Sequence, residues 1–193
     1  MNFVLRYRGP LPSNGDRGDK HRIRLALDPQ LREMCRTFKP FELALTSGLP
    51  EVDMAGRQAK APDNCFFFWV RVGGCRVMPL INRARKSECG IAVAVLRREG
   101  PGAIIGSGGD LDNRLKTLFD ALRIPQQPSE LPEGCETDDL YCLLEDDSLI
   151  TRVSVEADRL LEPSATGGKD TDVDLWIRVS VQSPWPMWDS LGV

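Results

Sequence analysis

Val173, Leu175, Ile177, Val179 and Val181 alternate without a break with Asp174, Trp176, Arg178 and Ser180. Successive side chains of a strand point to opposite faces of a sheet, so this run commits the chain to a strand with one apolar face. Such a face must be covered by a second layer, and the rest of the sequence has to supply it. Further β-rich runs are Asn2 to Tyr7, Asn64 to Val72, Cys75 to Ile81, Ile91 to Leu96 and Leu149 to Leu160, the last with Ile150, Val153 and Val155 as its core positions. Gly73-Gly74 predicts a tight hairpin, because glycine takes positive φ at both turn positions without steric cost. Pro79 has no N–H for a ladder, which places its strand at an edge or ends it early. The block Phe66-Phe67-Phe68-Trp69 fits a strand buried on both faces, with a partner surface as the alternative.

From Asp112 the period changes. Leu115, Leu118, Phe119 and Leu122 fall at helical spacing, while Asp112, Lys116 and Asp120 follow at i, i+4 and i+8. This is an amphipathic helix that ends before Pro125. A short helix is expected from Pro29 to Phe38, with the proline in its first turn. The segments 8–20, 48–63, 100–109, 125–132 and 162–171 read as loops or turns from their glycine, proline and polar content, and the tail from Pro184 as irregular.

The chain's 193 residues suit one domain with decorations. No apolar run approaches the roughly 20 residues of a membrane helix, and the N-terminus lacks the features of a secretion signal, so a cytoplasmic location is expected. The six cysteines include no C-x-x-C pair and His21 is the single histidine, which speaks against a zinc site. The thiols are expected reduced and mostly buried, a disulfide framework being the alternative. His21 lies in a basic run (Lys20-His21-Arg22-Ile23-Arg24) away in sequence from any nucleophile, which discounts hydrolase triads. Charge is divided along the chain: residues 1–109 carry +8 and residues 110–193 carry −11, together the −3 of the whole. A basic half that tracks phosphates and an acidic half that holds a divalent cation would produce this division; solvated surface on both halves would as well.

Phosphodiester hydrolysis at neutral pH needs a hard cation held by converging carboxylates. Asp110-Leu111-Asp112-Asn113 places two carboxylates where a loop becomes a helix, Lys116 follows one turn after Asp112, and Glu145-Asp146-Asp147 forms a second acidic cluster about 30 residues on. A lysine facing metal ligands stabilises charge developing on phosphate. The same residues also fit a plain structural role: an N-cap aspartate, an i,i+4 ion pair and an acidic turn.

The thirteen positions Asp110 to Leu122 resemble the signature helix of the RusA-like Holliday-junction resolvases, in which D-x-D-N, a lysine four residues after the second aspartate and a D-A-L ending recur together. Glu145-Asp146-Asp147-Ser148-Leu149-Ile150 resembles that family's acid-acid-small-x-aliphatic motif, and Pro10-Leu11-Pro12-Ser13-Asn14 approximates its early P-P-S-N loop. The resemblance implies an α/β (α+β) fold with a mixed sheet and packed helices, a single nuclease domain over residues 1–183 with 28–88 as a divergent insertion, and a tail at 184–193. It also implies a homodimeric, metal-dependent endodeoxyribonuclease that uses Mg2+, with Mn2+ as a substitute, on branched DNA and without an organic cofactor. Asp110, Asp112 and Asp147 would then be catalytic metal ligands with Asp146 as a further donor, and Lys116 the catalytic lysine. Arg17, Lys20, Arg22, Arg24 and Asn113 are candidate DNA contacts. Two alternatives stand beside this reading: a DNA-binding or assembly protein that keeps the fold without turnover, and a nuclease for flaps, forks or RNA.

Overall fold

The computed structural model describes residues 1–38, 48–55, 58–59, 66–97, 110–136, 139–161 and 172–182, with the side chains of residues 55, 58, 59 and 110 outside that description. The fold is α+β, with two mixed sheets and two α-helices among the described residues. One sheet runs in the order β1 (Asn2–Pro10), β9 (Asp172–Gln182), β6 (Glu88–Arg97), β8 (Ile150–Arg159), with only the β6–β8 pair parallel. The other runs β3 (Gln58–Ala59), β2 (Glu51–Ala55), β4 (Trp69–Val72), β5 (Cys75–Ile81), β7 (Leu140–Leu144), with β2–β4 and β5–β7 parallel.

The alternation read in β9 holds from Val173 to Val179: Val173, Leu175, Ile177 and Val179 are buried, and the last three pair across the sheet with Leu5, Tyr7, Ile91, Val93 and Val95. Helix α1 (Arg17–Thr37) supplies the second layer through Ile23, Leu27, Leu31 and Cys35, and helix α2 (Asp110–Leu122) adds Leu118, Ala121 and Leu122. A smaller apolar cluster lies under β4, β5 and β7, where Phe68, Val70, Val77 and Cys142 meet Ile124 and Leu131 of the proline-rich link after α2. All five residues of β7 are buried, because it is covered from both sides.

Several expectations are corrected. Helix α1 begins at Arg17 rather than Pro29: Asp16 accepts from the Asp19 N–H at 2.8 Å and Asp19 accepts from the Asp16 N–H at 3.2 Å, a reciprocal cap that starts the helix inside the presumed loop. Pro29 therefore sits within α1. Its missing N–H and ring cost a helix about 3 kcal/mol, outweighed here by the buried face from Ile23 to Cys35. Part of the expected loop 48–63 forms β2 and β3. Pro79 neither ends β5 nor stands at an edge, since it lies in register with Cys142 of β7. The β4 ladder stops at Val70–Val77, so no neighbour on that side needs an N–H from Pro79. The expected core of β8 holds in part: Ile150 and Val155 are half-buried and pack against the core, but Val153 does not. Ile150 has the opposite parity to Val153 and Val155, and Val153 is 46% exposed because β8 is the outermost strand of its sheet.

Residues 28–88, expected as an insertion, contribute the second half of α1 and strands β2 to β5, and β5 is the strand on which β7 is built. The glycine-rich run 100–109, the turn 162–171 and the tail 184–193 lie outside the described residues. Among those described, no helix is long and apolar enough to cross a membrane.

Two contacts fasten the loop after β1 to α2. The Gly15 N–H donates to Thr117 Oγ1 at 2.9 Å, and the Arg114 guanidinium donates to the Leu11 carbonyl. A Cβ on Gly15 would lie 2.5 Å from Thr117 Cγ2, closer than two carbons can approach. Gly15→Ala is therefore expected to destabilise the protein by about 1–3 kcal/mol, the range for overpacking. Thr117→Ser removes the offending methyl and keeps the hydroxyl, so the double variant should recover most of that loss in a urea titration. Equal instability of the single and double variants would contradict this packing.

Candidate metal and nucleic-acid site

The acidic turn after β7 is built by parallel pairing with β5. The Glu145 N–H donates to the Ile81 carbonyl at 2.8 Å, which aligns the two strand ends. Beyond β5, buried Asn82 caps a short 3-10 turn, η1 (Arg83–Arg85), and this sets Arg83 beside the end of β7. The Arg83 backbone N–H donates to Glu145 Oε2 at 2.8 Å, while its guanidinium reaches Asp146 Oδ1 at 3.2 Å and Ser148 Oγ at 2.8 Å. A second 3-10 turn, η2 (Pro128–Glu130), lies in the link after α2, and Asp146 caps a third, η3 (Asp147–Leu149), by accepting from the Ser148 N–H at 3.0 Å and from the Ser148 hydroxyl. Burial alone would raise the Asp146 carboxyl, yet the Ser148 donors and the Arg83 charge hold it below its ordinary value. Glu145 and Asp146 are thus buried supports, and Asp147 is the acid of this cluster that faces solvent.

Helix α2 is set against the same turn. The Ile124 N–H just past its end donates to the Leu144 carbonyl at 2.8 Å, Gln126 Nε2 reaches the Glu145 carbonyl at 2.8 Å, and α2 packs against η3. Asp112 and Lys116 are exposed on α2, one turn apart, and neither side chain has a hydrogen bond or ion pair among the described residues. The first acid of the motif, Asp110, begins α2, but its side chain lies outside the described residues. Asn113 is half-buried, and its carbonyl accepts the Thr117 hydroxyl at 3.1 Å. Among the described residues, no three histidine, cysteine or acidic side chains are grouped to hold a metal ion.

The basic run is helical, a consequence of the early start of α1, and its members differ in fate. Arg17 pairs with Glu133 at 2.6 Å, Arg22 with Asp19 at 2.7 Å and Lys20 with Asp120 at 2.8 Å. Arg17 and Arg22 keep nearly half of their side chains in solvent and stay accessible to phosphate. Arg24 does not. It is 1% exposed and donates to the Asp120 carbonyl at 2.7 Å and the Arg123 carbonyl at 3.1 Å. Asp120 is in the last turn of α2 and Arg123 directly follows it, so the cation meets the carbonyls at the negative end of the helix dipole. The expected DNA contact by Arg24 is therefore corrected to a tie between α1 and α2.

Asp28 continues this fastening by accepting from the Tyr141 N–H at 2.7 Å at the start of β7. Sequence reading missed Arg83, Thr117 and Asp28 in these supporting roles. No local motif marks them, because each acts on a residue more than 60 positions away or on the far side of a sheet. It also set His21 apart from any nucleophile, whereas His21 Nε2 lies 3.5 Å from Cys135 Sγ. Comparison with family models, with curated proteins and with solved structures returned no match, so the reading of this site rests on its own residues.

Proposed function

We propose that this chain is a magnesium-dependent endonuclease of RusA-like type that cuts Holliday junctions or related branched DNA, acting in the cytoplasm as a homodimer. The observation that carries this reading is the packing of α2, with Asp112 and Lys116 exposed, against the turn that exposes Asp147. The donor type fits the metal. Magnesium takes hard oxygen ligands, commonly one or two carboxylates completed by water and substrate phosphate. In this reading Asp112 and Asp147 hold the ion with Asp110, and Asp146 keeps Asp147 in place through its cap on η3. When bound, the ion polarises a phosphoryl oxygen and lowers the pKa of a water at that site. Lys116 stabilises the negative charge that develops on the phosphate. Arg17 and Arg22, on the exposed side of α1, contact the DNA backbone and give affinity without sequence information. A dimer places two such sites on paired strands.

A substrate panel tests this reading. With magnesium, the wild-type chain is expected to nick a synthetic four-way junction in preference to fork, flap, single strand and linear duplex. Preference for a flap, a fork or RNA would reassign the substrate, and junction binding without cleavage of any of them would point to a protein that has lost turnover.

A further inference from the structure

Three groups that are distant in sequence meet away from the acidic turn. Cys75 opens β5 directly after the Gly73-Gly74 turn, Cys135 lies in the link between α2 and β7, and His21 projects from α1. Cys75 Sγ is 3.0 Å from Cys135 Sγ, and Cys135 Sγ is 3.5 Å from His21 Nε2. The approach involves the backbone as well. A Cβ on Gly74 would lie 2.9 Å from the Cys135 carbonyl oxygen, and the Cys75 thiol is 3.4 Å from that same oxygen. The hairpin turn is thus seated on the link, with glycine where a side chain would not fit.

We propose that Cys75, Cys135 and His21 form a redox site in which a peroxide converts the two thiols to a reversible disulfide.

The exposures set the order of events. Cys75 is 0% exposed, whereas Cys135 is only partly buried and is the sulfur a small oxidant reaches first. His21 is 8% exposed and its Nδ1 has no hydrogen-bond partner among the described residues, which leaves Cys135 as the polar contact of the ring. Burial, followed by the charge of Arg24, lowers the His21 pKa from its ordinary 6.5, so near pH 7 the ring is neutral, and in the tautomer with its proton on Nδ1 the Nε2 atom accepts from the Cys135 thiol. The Cys135 sulfur attacks one peroxide oxygen, the O–O bond breaks, and the leaving hydroxide takes the proton from His21 to become water. Cys135 is then a sulfenic acid, oxidised by two electrons. The Cys75 sulfur displaces the hydroxyl from Cys135, the S–S bond forms as the S–O bond breaks, and the departing hydroxide takes the Cys75 proton as a second water. A dithiol reverses the change by exchange.

The distances also separate this site from a metal centre. Two thiolates at about 2.3 Å from a tetrahedral zinc ion stand roughly 3.8 Å apart, well beyond the separation here. The bridge would close a loop across a sequence separation of 60 residues and pin the link that leads from α2 to β7. The proposal holds whether or not the chain cuts DNA.

To test it, the reduced full-length protein is treated with hydrogen peroxide, quenched with an alkylating agent and mapped as peptides without reduction. A Cys75–Cys135 cross-linked peptide that disappears on dithiol treatment is expected, together with a melting temperature raised by roughly 10 °C, as for bridging a loop of this length. In Cys75→Ser the reaction should stop at the sulfenic acid, so a cyclic dione probe labels Cys135 there and not in the wild type. His21→Gln should slow the first step about tenfold or more without changing which sulfurs pair. Cross-links to other cysteines, or both thiols still alkylatable after oxidation, would overturn the proposal. So would stoichiometric zinc held by the reduced protein and released on oxidation.

Discussion

Lys116→Met is expected to lower junction cleavage by about 10²–10³-fold while leaving junction affinity within a few-fold of wild type, the loss typical of removing one group that stabilises transition-state charge. The substitution keeps a long, unbranched side chain with good helix propensity, so α2 should stay intact. Lys116 is exposed and has no described partner to release, which separates a catalytic loss from a structural one. An equal fall in affinity and cleavage would mean that the lysine only binds the backbone. No change in either would remove Lys116 from the site.

Arg83→Ala is expected to act through the fold of the acidic turn. Arg83 satisfies Glu145, whose side chain is 1% exposed, and joins Asp146 and Ser148 from the same guanidinium. Arg83→Ala removes the guanidinium charge facing Glu145 and Asp146 but keeps the backbone N–H that donates to Glu145 Oε2, whereas losing a buried partner outright costs about 3–5 kcal/mol. Because a third of the Arg83 side chain meets solvent and that backbone bond survives, a smaller cost is expected, about 2–3 kcal/mol. For a domain of this size the melting temperature should fall by roughly 5–10 °C. Arg83→Lys should recover only part of the loss, since one ammonium cannot span three oxygens as the planar fork does. At a temperature where Arg83→Ala is still folded, cleavage should also drop, because Asp147 loses the support that Asp146 and Ser148 receive from Arg83. A variant with wild-type melting would show that this network contributes nothing to the turn.

What could be read from the sequence depended on whether a feature was local. The β9 alternation was legible because Val173 to Val179 of its apolar face are buried, and the pattern breaks only at Val181, half-buried near the strand end, and at Asp174, buried on the polar face by its ion pairs with Arg6 and Arg8. In β8 the same kind of reading held only in part, since Ile150 and Val155 of this outermost strand pack against the core while Val153 is left exposed. The first half of α1 was hidden by Gly18 and a basic run, and its start was marked only by the Asp16 and Asp19 pair, a less familiar cap than serine with glutamate. Strand β2 does alternate, with Val52 and Met54 packed against the smaller core cluster and Glu51 and Asp53 exposed, but it is only five residues long between Pro50 and Gly56, too short for the pattern to stand out from the surrounding loop. In the candidate site, the α2 residues and the acidic turn stand in short motifs and were legible. Arg83 was not, because its place depends on the pairing of β5 with β7, which no spacing encodes. The meeting of His21, Cys75 and Cys135 was equally invisible, with sequence separations of 60 and 114 residues.

The central claim is that Asp112 and its neighbours form one metal-dependent cutting site. It is tested most directly by following a labelled four-way junction with and without magnesium, for the wild type and for Asp112→Asn, with matched linear duplex as control. The proposed function predicts paired, magnesium-dependent nicks across the junction that Asp112→Asn abolishes while junction binding persists. Cleavage that survives without magnesium, or that Asp112→Asn leaves unchanged, would contradict it.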